Sequence, residues 1–410
     1  MMYTQATPKK EFLNRPGFAL HNSIVIHNIS KELQQFSNYN LIAVICIFLL
    51  SNIAMVSAQE TEKEKAFEFS AAYTSDFGRN FSGGVEQKNA YLGNLDITAT
   101  FNTENANLWK GGTFFVYLLN NHGTSLSQYV GDLQGVDNIE ADAHTRLYEF
   151  WYMQKFGKLS ITIGQHDLNS EFSGTEYGGI FINSSFGIQP DISGNVPISI
   201  FPVATLGGIL KYEVNDQFSI LTAIYNGDPG SQAGNSLNWK LADSSGVLNI
   251  SELQYQLKNK TKPGTYKLGA WLHSADNHYG IYAIADQKLF NEKNDLNKGL
   301  GFFTQLGIAP REGSVFDYFA SFGLHYTGLF GGRKEDNLGL ALGHASMSKY
   351  IIKQDPTVDL TGETVLELVY EARINDYISI KPDLQYIINP GATSAVKNSL
   401  TGIIRTVLEF

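Results

Sequence analysis

The chain has 410 residues, of which 43% are hydrophobic, 12% aromatic and 17% charged, with 39 glycines, 11 prolines and one cysteine. One cysteine excludes an intramolecular disulfide framework and a cysteine-based structural zinc site. A mean hydropathy of −0.15 excludes a polytopic helical membrane protein, and a formal charge of −10 is opposite to the basic footprint of a nucleic-acid binder.

The first element along the chain is an apolar run at 41–50, LIAVICIFLL. It is too short to span a bilayer but suits the core of a secretory signal. Val56 and Ala58 occupy the positions three and one before a cut, which places cleavage after Ala58. Lys9, Lys10, Arg15 and Lys31 make the preceding segment basic, and its unusual length is compatible with a later start codon. Residues 1–58 therefore read as a signal peptide. They take Cys46, four basic and two acidic residues with them, leaving a thiol-free chain of charge −12. A charged leader follows at 59–65, and 66–410 reads as a single exported β domain.

From residue 66 the chain becomes a succession of period-two segments. Tyr91, Gly93, Leu95, Ile97, Ala99 and Phe101 alternate with Asn94, Asp96, Thr98 and Thr100. Tyr266, Leu268, Ala270 and Leu272 alternate with Lys267, Trp271 and His273. Phe316, Tyr318, Ala320, Phe322, Leu324 and Tyr326 share a face, as do Ile378, Ile380, Leu384, Tyr386 and Ile388. Successive strand side chains point to opposite faces, so each segment has one greasy and one polar face.

A water-soluble sandwich also alternates. Three features favour a transmembrane barrel instead. The segments match the length of a tilted membrane strand, and aromatics such as Tyr91 with Phe101 and Phe316 with Tyr326 bracket the apolar faces as girdles would. The polar faces carry Glu367, Lys381, Asp383 and Arg405, which suit a wet lumen. The last strand ends in Phe410, resembling the terminal aromatic signature read by the barrel assembly machinery.

Sixteen strands are predicted: 66–74, 90–101, 112–120, 145–156, 158–167, 205–214, 217–226, 247–257, 264–273, 279–288, 299–309, 316–328, 337–347, 363–374, 377–388 and 400–410. The even number suits a single-chain bacterial barrel, with 14 or 18 as neighbouring solutions. Periplasmic termini make the turns after even strands short, although 289–298 fits poorly and Pro382 removes a ladder donor. The opposite connections are long, and 168–204 is the longest. An inward-folded loop there is the expected constriction of an aqueous channel.

Several blocks resemble the carbohydrate-selective porins (OprB-type) of Gram-negative outer membranes. They include AYLGNLD at 90–96, LNNHG at 119–123, GDLQGVDNIE at 131–140, TRLYE at 145–149 and DLNSEF at 167–172. NSSFG at 183–187, KLGAW at 267–271, IADQ at 284–287 and KPDLQYIINPG at 381–391 continue the match over the whole of 66–410. The resemblance implies an all-β, sixteen-stranded antiparallel barrel narrowed by inward loops, and passive diffusion of sugars. A departure is the residue before Arg333, glycine where the family's turn implies proline.

A sugar is neutral, with hydroxyl edges and an apolar face, so its channel needs charges or amides and an aromatic ring. Candidate channel residues are Asn94, Asp96, Arg146, Glu149, Asp167, Asn169 and Glu171, with Lys381 and Asp383 on the wall and Trp271 for stacking. Strict alternation puts Arg146 and Glu149 on opposite faces. The competing role for these groups is hydrogen bonding that holds 168–204 in place. Net acidity disfavours anions. Lipid and lipopolysaccharide are the expected surroundings, sugars the permeating solutes, and the oligomeric state is open. A general diffusion porin is the alternative. No histidine sits in a recognisable nucleophile or metal setting, so neither catalysis nor a cofactor or metal is expected.

Overall fold

A computed structural model of the chain describes residues 65–410, apart from 231–233, 235–236, 240–244, 276, 293–294 and 355–359. The signal peptide expected at 1–58 lies outside the described residues. The strands are β1 Phe67–Ser82, β2 Asn89–Asn102, β3 Gly112–Gly123, β4 His144–Phe156, β5 Leu159–His166, β6 Thr205–Glu213, β7 Phe218–Asn226 and β8 Val247–Leu257. They continue as β9 Gly264–His273, β10 His278–Glu292, β11 Asp295–Ile308, β12 Phe316–Thr327, β13 Asn337–Met347, β14 Gly362–Asn375, β15 Ile378–Ile388 and β16 Ser399–Glu409. Each pairs antiparallel with its chain neighbours, and β1 pairs with β16, closing a barrel. Closure satisfies every strand's backbone groups within the wall, which lipid cannot do.

Alternation explains which face each residue takes. On β14, Leu368 is 47% exposed while the adjoining Glu367 is 0% exposed. In register, Leu368 faces Leu384 and Glu367 faces Gln385. The outer surface therefore presents Leu, Ile, Phe and Tyr, and the charged residues are the buried ones, the reverse of a soluble sheet. Among the described residues no helix is long and apolar enough to cross a membrane.

Three local departures from the predicted pattern have physical causes. The poorly fitting stretch 289–298 is strand: β10 runs to Glu292 and β11 starts at Asp295, with register shifts near the turn. Phe316 is only 3% exposed, because a shift between Phe316 and Tyr318 turns it inward against Phe319 and Met347. It is a core residue, not a girdle aromatic. Pro382 pairs in register with Ile404 of β16, but the β14 ladder is interrupted between Val369↔Asp383 and Ala372↔Ile380. The missing N–H therefore falls where the ladder has already parted.

The connections after even strands are mostly short and lie at the end that carries the termini. At the opposite end, 124–143 and 167–204 are long. They turn into the lumen.

Candidate functional site

Two apolar clusters decide where the lumen is filled. In the first, Leu168, Phe172, Ile188, Ile192, Val196 and Ile198 of the 167–204 loop pack on the inner faces of β6–β10. In the second, Ile180, Phe181, Ile182 and Phe186 join Leu126, Val130 and Val136 of the 124–143 loop. That group packs on Phe303, Ala341, Val365, Val369, Ile387 and Ile403, inner residues of β11–β16. The inner wall here is therefore partly greasy, and Glu367, Lys381, Asp383 and Arg405, expected to face a wet lumen, are buried beneath the loops. Burying such side chains stabilises the loop at about 25 cal/mol per Å² of apolar area.

A loop crossing a lumen leaves backbone N–H groups without ladder partners, and buried wall carboxylates lack donors. Each solves the other's problem. Glu149 accepts the Asp167 N–H at 3.0 Å. Glu252 accepts the Ser173 N–H at 2.9 Å and the Tyr282 hydroxyl at 2.7 Å. Asp286 accepts the Glu176 and Tyr177 N–H groups at 3.1 and 3.0 Å. Glu367 accepts from Ile182 and Asn183 at 2.6 and 3.1 Å. Glu363 does the same for Leu133, Gln134 and Gly391. The 167–204 loop is thus fastened at successive points around the wall by Glu149, Glu252, Asp286 and Glu367, and the 124–143 loop by Glu363.

The candidate residues fall into three groups. Asn94 and Asp96 stand together on the inner face of β2. The Asn94 amide donates to both Asp96 oxygens at 2.8 Å, the Tyr117 hydroxyl donates to Asp96 at 2.6 Å, and Asn121 donates to Asn94 at 2.7 Å. Arg146 and Glu149 both face inward despite their odd spacing. Tyr117 is opposite Glu149 and Leu118 is opposite Leu147, so Tyr148 is an extra residue in a β-bulge that resets the alternation. Arg146 donates to the carbonyls of Pro202 (3.2 Å) and Asp142 (3.4 Å). It borders a cavity of about 230 Å³ with Tyr148, Gln165 and Asn238.

The second group belongs to the loop. Asp167 accepts the Tyr148 hydroxyl at 2.7 Å and caps the turn at the Asn169 N–H at 2.8 Å. Burial pushes its carboxyl up to about 6. Asn169 donates to the carbonyls of Phe172 and Gly187, stapling the loop to itself. Glu171 is open to water and meets Lys211 of β6 at 3.3 Å. The third group is buried wall. Lys381 bridges Glu371 and the Ile180 carbonyl, each at 3.2 Å. Asp383 accepts from Gln385 at 2.9 Å. Trp271 is 3% exposed beneath the loop, so its ring has no face open to a solute.

What stays open is the inner wall of β2–β5. Asp96, Thr98, Thr100, Phe115, Trp151, Met153 and Thr162 are half-buried there and lie outside the apolar loop clusters, whereas Tyr117 packs with Leu119, Tyr148 and the loop residues Phe201 and Ala204. Phe115 and Trp151 are absent from the sequence-based candidates. Period two from Glu149 does reach Trp151 and Met153, and that was the available signal.

Residues 86–278 and 274–410 match the model of the carbohydrate-selective porin, OprB family. Porin B of Pseudomonas aeruginosa is 23% identical over 85% of this chain and 88% of its own length. A high-pH structure of Pseudomonas putida OprB superposes with a TM-score of 0.75 at 20% identity, covering 84% of this chain and 94% of that one. The low-pH structure of the same protein gives 0.58 at 17% identity, covering 84% and 93%. With its closed sixteen-stranded barrel and inward loops, the chain belongs to the carbohydrate-selective porin, OprB family, and is an outer-membrane channel of a Gram-negative bacterium.

Proposed function

We propose that this porin passes neutral sugars such as glucose and small oligosaccharides passively along the inner wall of β2–β5. The observation that carries the reading is the one-sided filling of the lumen: the loops cover β6–β16, and a half-exposed wall of hydroxyls, carboxylates and aromatics is left opposite them. Those groups match a solute with hydroxyl edges and an apolar face. Asp96, Glu149 and Glu171 line or border the route, while Arg146, Asp167, Asn169 and Lys381 shape it by holding the loop, and Asp383 accepts from Gln385, which bonds Asn183 and Val136 of the inward loops. Net acidity discourages anions. The mature chain starts after Ala58, and the exposed Phe410 at the end of β16 is the feature the assembly machinery reads. The outer surface meets lipid and lipopolysaccharide.

Reconstitution in planar bilayers tests this. Glucose added to open channels should reduce the ion current in a saturable way. A current indifferent to every sugar, with permeation ordered by solute size alone, would leave a general diffusion porin.

A further inference from the structure

Glu363 and Glu367 have both carboxylate oxygens taken by backbone N–H groups of the loops. One part of the inner wall keeps its polar side chains uncommitted. Gln256 of β8 is the register partner of Thr265 of β9, which is in turn the register partner of Asp286 of β10. Strand spacing therefore sets an amide, a hydroxyl and a carboxylate in a row on one face, at intervals of about 4.7–4.9 Å. The row stands beside the turn between β8 and β9, at the end of the barrel that carries the termini.

The 167–204 loop reaches this row at one point. The Glu176 and Tyr177 N–H groups both donate to Asp286 Oδ1, at 3.1 and 3.0 Å. The Tyr177 ring lies on Gly301 of β11, where a Cβ would be 2.4, 2.5 and 2.6 Å from three neighbouring ring atoms, a face contact. These contacts hold the loop so that the Glu176 carboxylate joins the row. Glu176, Gln256, Thr265 and Asp286, with Lys258 and Pro263, line a cavity of about 270 Å³. That is just under the range of drug-sized pockets and suits a single monosaccharide.

Asp286 is only 2% exposed, yet among the described residues its Oδ2 has no hydrogen-bond partner. The side chains of Glu176, Gln256 and Thr265 have none within the chain either. Glu176 and Gln256 are exposed, so the cavity opens to water at that mouth. Lys258 lines the same cavity, and Lys267 lies two residues beyond Thr265 on the same face, with its ammonium on the Gly174 carbonyl at 2.8 Å. The two lysines offset the two carboxylates, which favours a neutral, hydroxyl-rich ligand over a cation.

We propose that this cavity is a monosaccharide subsite at the mouth beside the termini. Asp286 Oδ2 and Glu176 accept sugar hydroxyls, while Thr265 and the Gln256 amide both donate and accept. This rests on the sugar-channel reading and adds a second holding point, across the lumen from the β2–β5 wall.

The test is a glucose titration of the purified barrel in detergent, read by saturation-transfer NMR, for the wild type, Thr265→Val, Gln256→Leu, the double variant and Thr265→Ser. Neither Thr265 nor Gln256 fastens the loop, so sugar-free single-channel conductance should match the wild type. The Kd for glucose should rise about threefold in each single variant and about tenfold in the double, the loss of one and two hydrogen bonds. Thr265→Ser, which keeps the hydroxyl, should bind as the wild type does. Heat-modifiable migration confirms a folded barrel, and the single variants serve if the double does not assemble. An unchanged Kd in folded variants, or a raised Kd found only where sugar-free conductance also shifts, overturns the subsite. If glucose still blocks wild-type current in that case, the sugar channel stands; glucose that neither binds nor blocks the wild type overturns the sugar-channel reading itself.

Discussion

Arg405 on the last strand grips Asp76 on the first, 329 residues away, with three N–H···O contacts of 2.7–3.0 Å across the closing seam. The same guanidinium reaches Asp137 at 3.0 Å and Asn138 at 2.8 Å in the inward 124–143 loop. All three charged groups are buried. Arg405→Leu strands two carboxylates, and such a loss costs about 3–5 kcal/mol. Urea unfolding in detergent should show that loss. Asp76→Asn combined with Arg405→Leu should lose less than the two single changes summed, because the pair acts as a unit.

The Glu367 clamp predicts a change in pore size. Its two charge-assisted bonds to Ile182 and Asn183 are each worth about 1.5–3 kcal/mol when intact. Glu367→Ala should free the middle of the loop and raise single-channel conductance and the size limit for polyethylene glycols. Glu367→Gln keeps an acceptor oxygen and should fall between. A conductance identical to wild type in Glu367→Ala would show that the clamp does not set the constriction.

The lipid-facing assignment is checked by Leu368→Arg. Its neighbour across the wall is Leu384, and both point outward near the middle of their strands. A cation there costs about 2–4 kcal/mol. A variant as stable as wild type in bilayer folding assays would place this face in the lumen.

Acid should tighten the loop. Burial raises the Asp191 carboxyl to about 7 and that of Asp167 to about 6, against an ordinary value of 3.8. Burial, with the charge of Glu140, raises Asp132 to about 6. These groups hold protons in the folded barrel that an unfolded or detached loop would already have released. The folded state therefore binds more protons between about pH 4 and 7, and stability falls as pH rises through that window. Current fluctuations from loop movement should be fewer at pH 4.5 than at pH 8. Asp191→Asn should remove the part of this dependence between pH 6 and 7. Fluctuations that grow on acidification would refute the sign.

Much of the architecture is legible in the sequence because strand alternation is local. Whether Leu368 or Glu367 meets lipid follows from a period of two, and all sixteen strands follow from repeating that reading. The exported, lipid-embedded class follows from the same pattern together with the apolar run at 41–50. Tertiary structure decided what alternation cannot carry. The bulge at Tyr148 puts Arg146 and Glu149 on one side, although their spacing says otherwise, because an extra residue is accommodated only by its partner strand. Glu367 as a clamp, Trp271 as covered core and Trp151 as open surface depend on where a loop from elsewhere in the chain comes to rest. That is set by apolar packing and by backbone N–H groups seeking acceptors across the lumen, and neither leaves a periodic trace in the sequence.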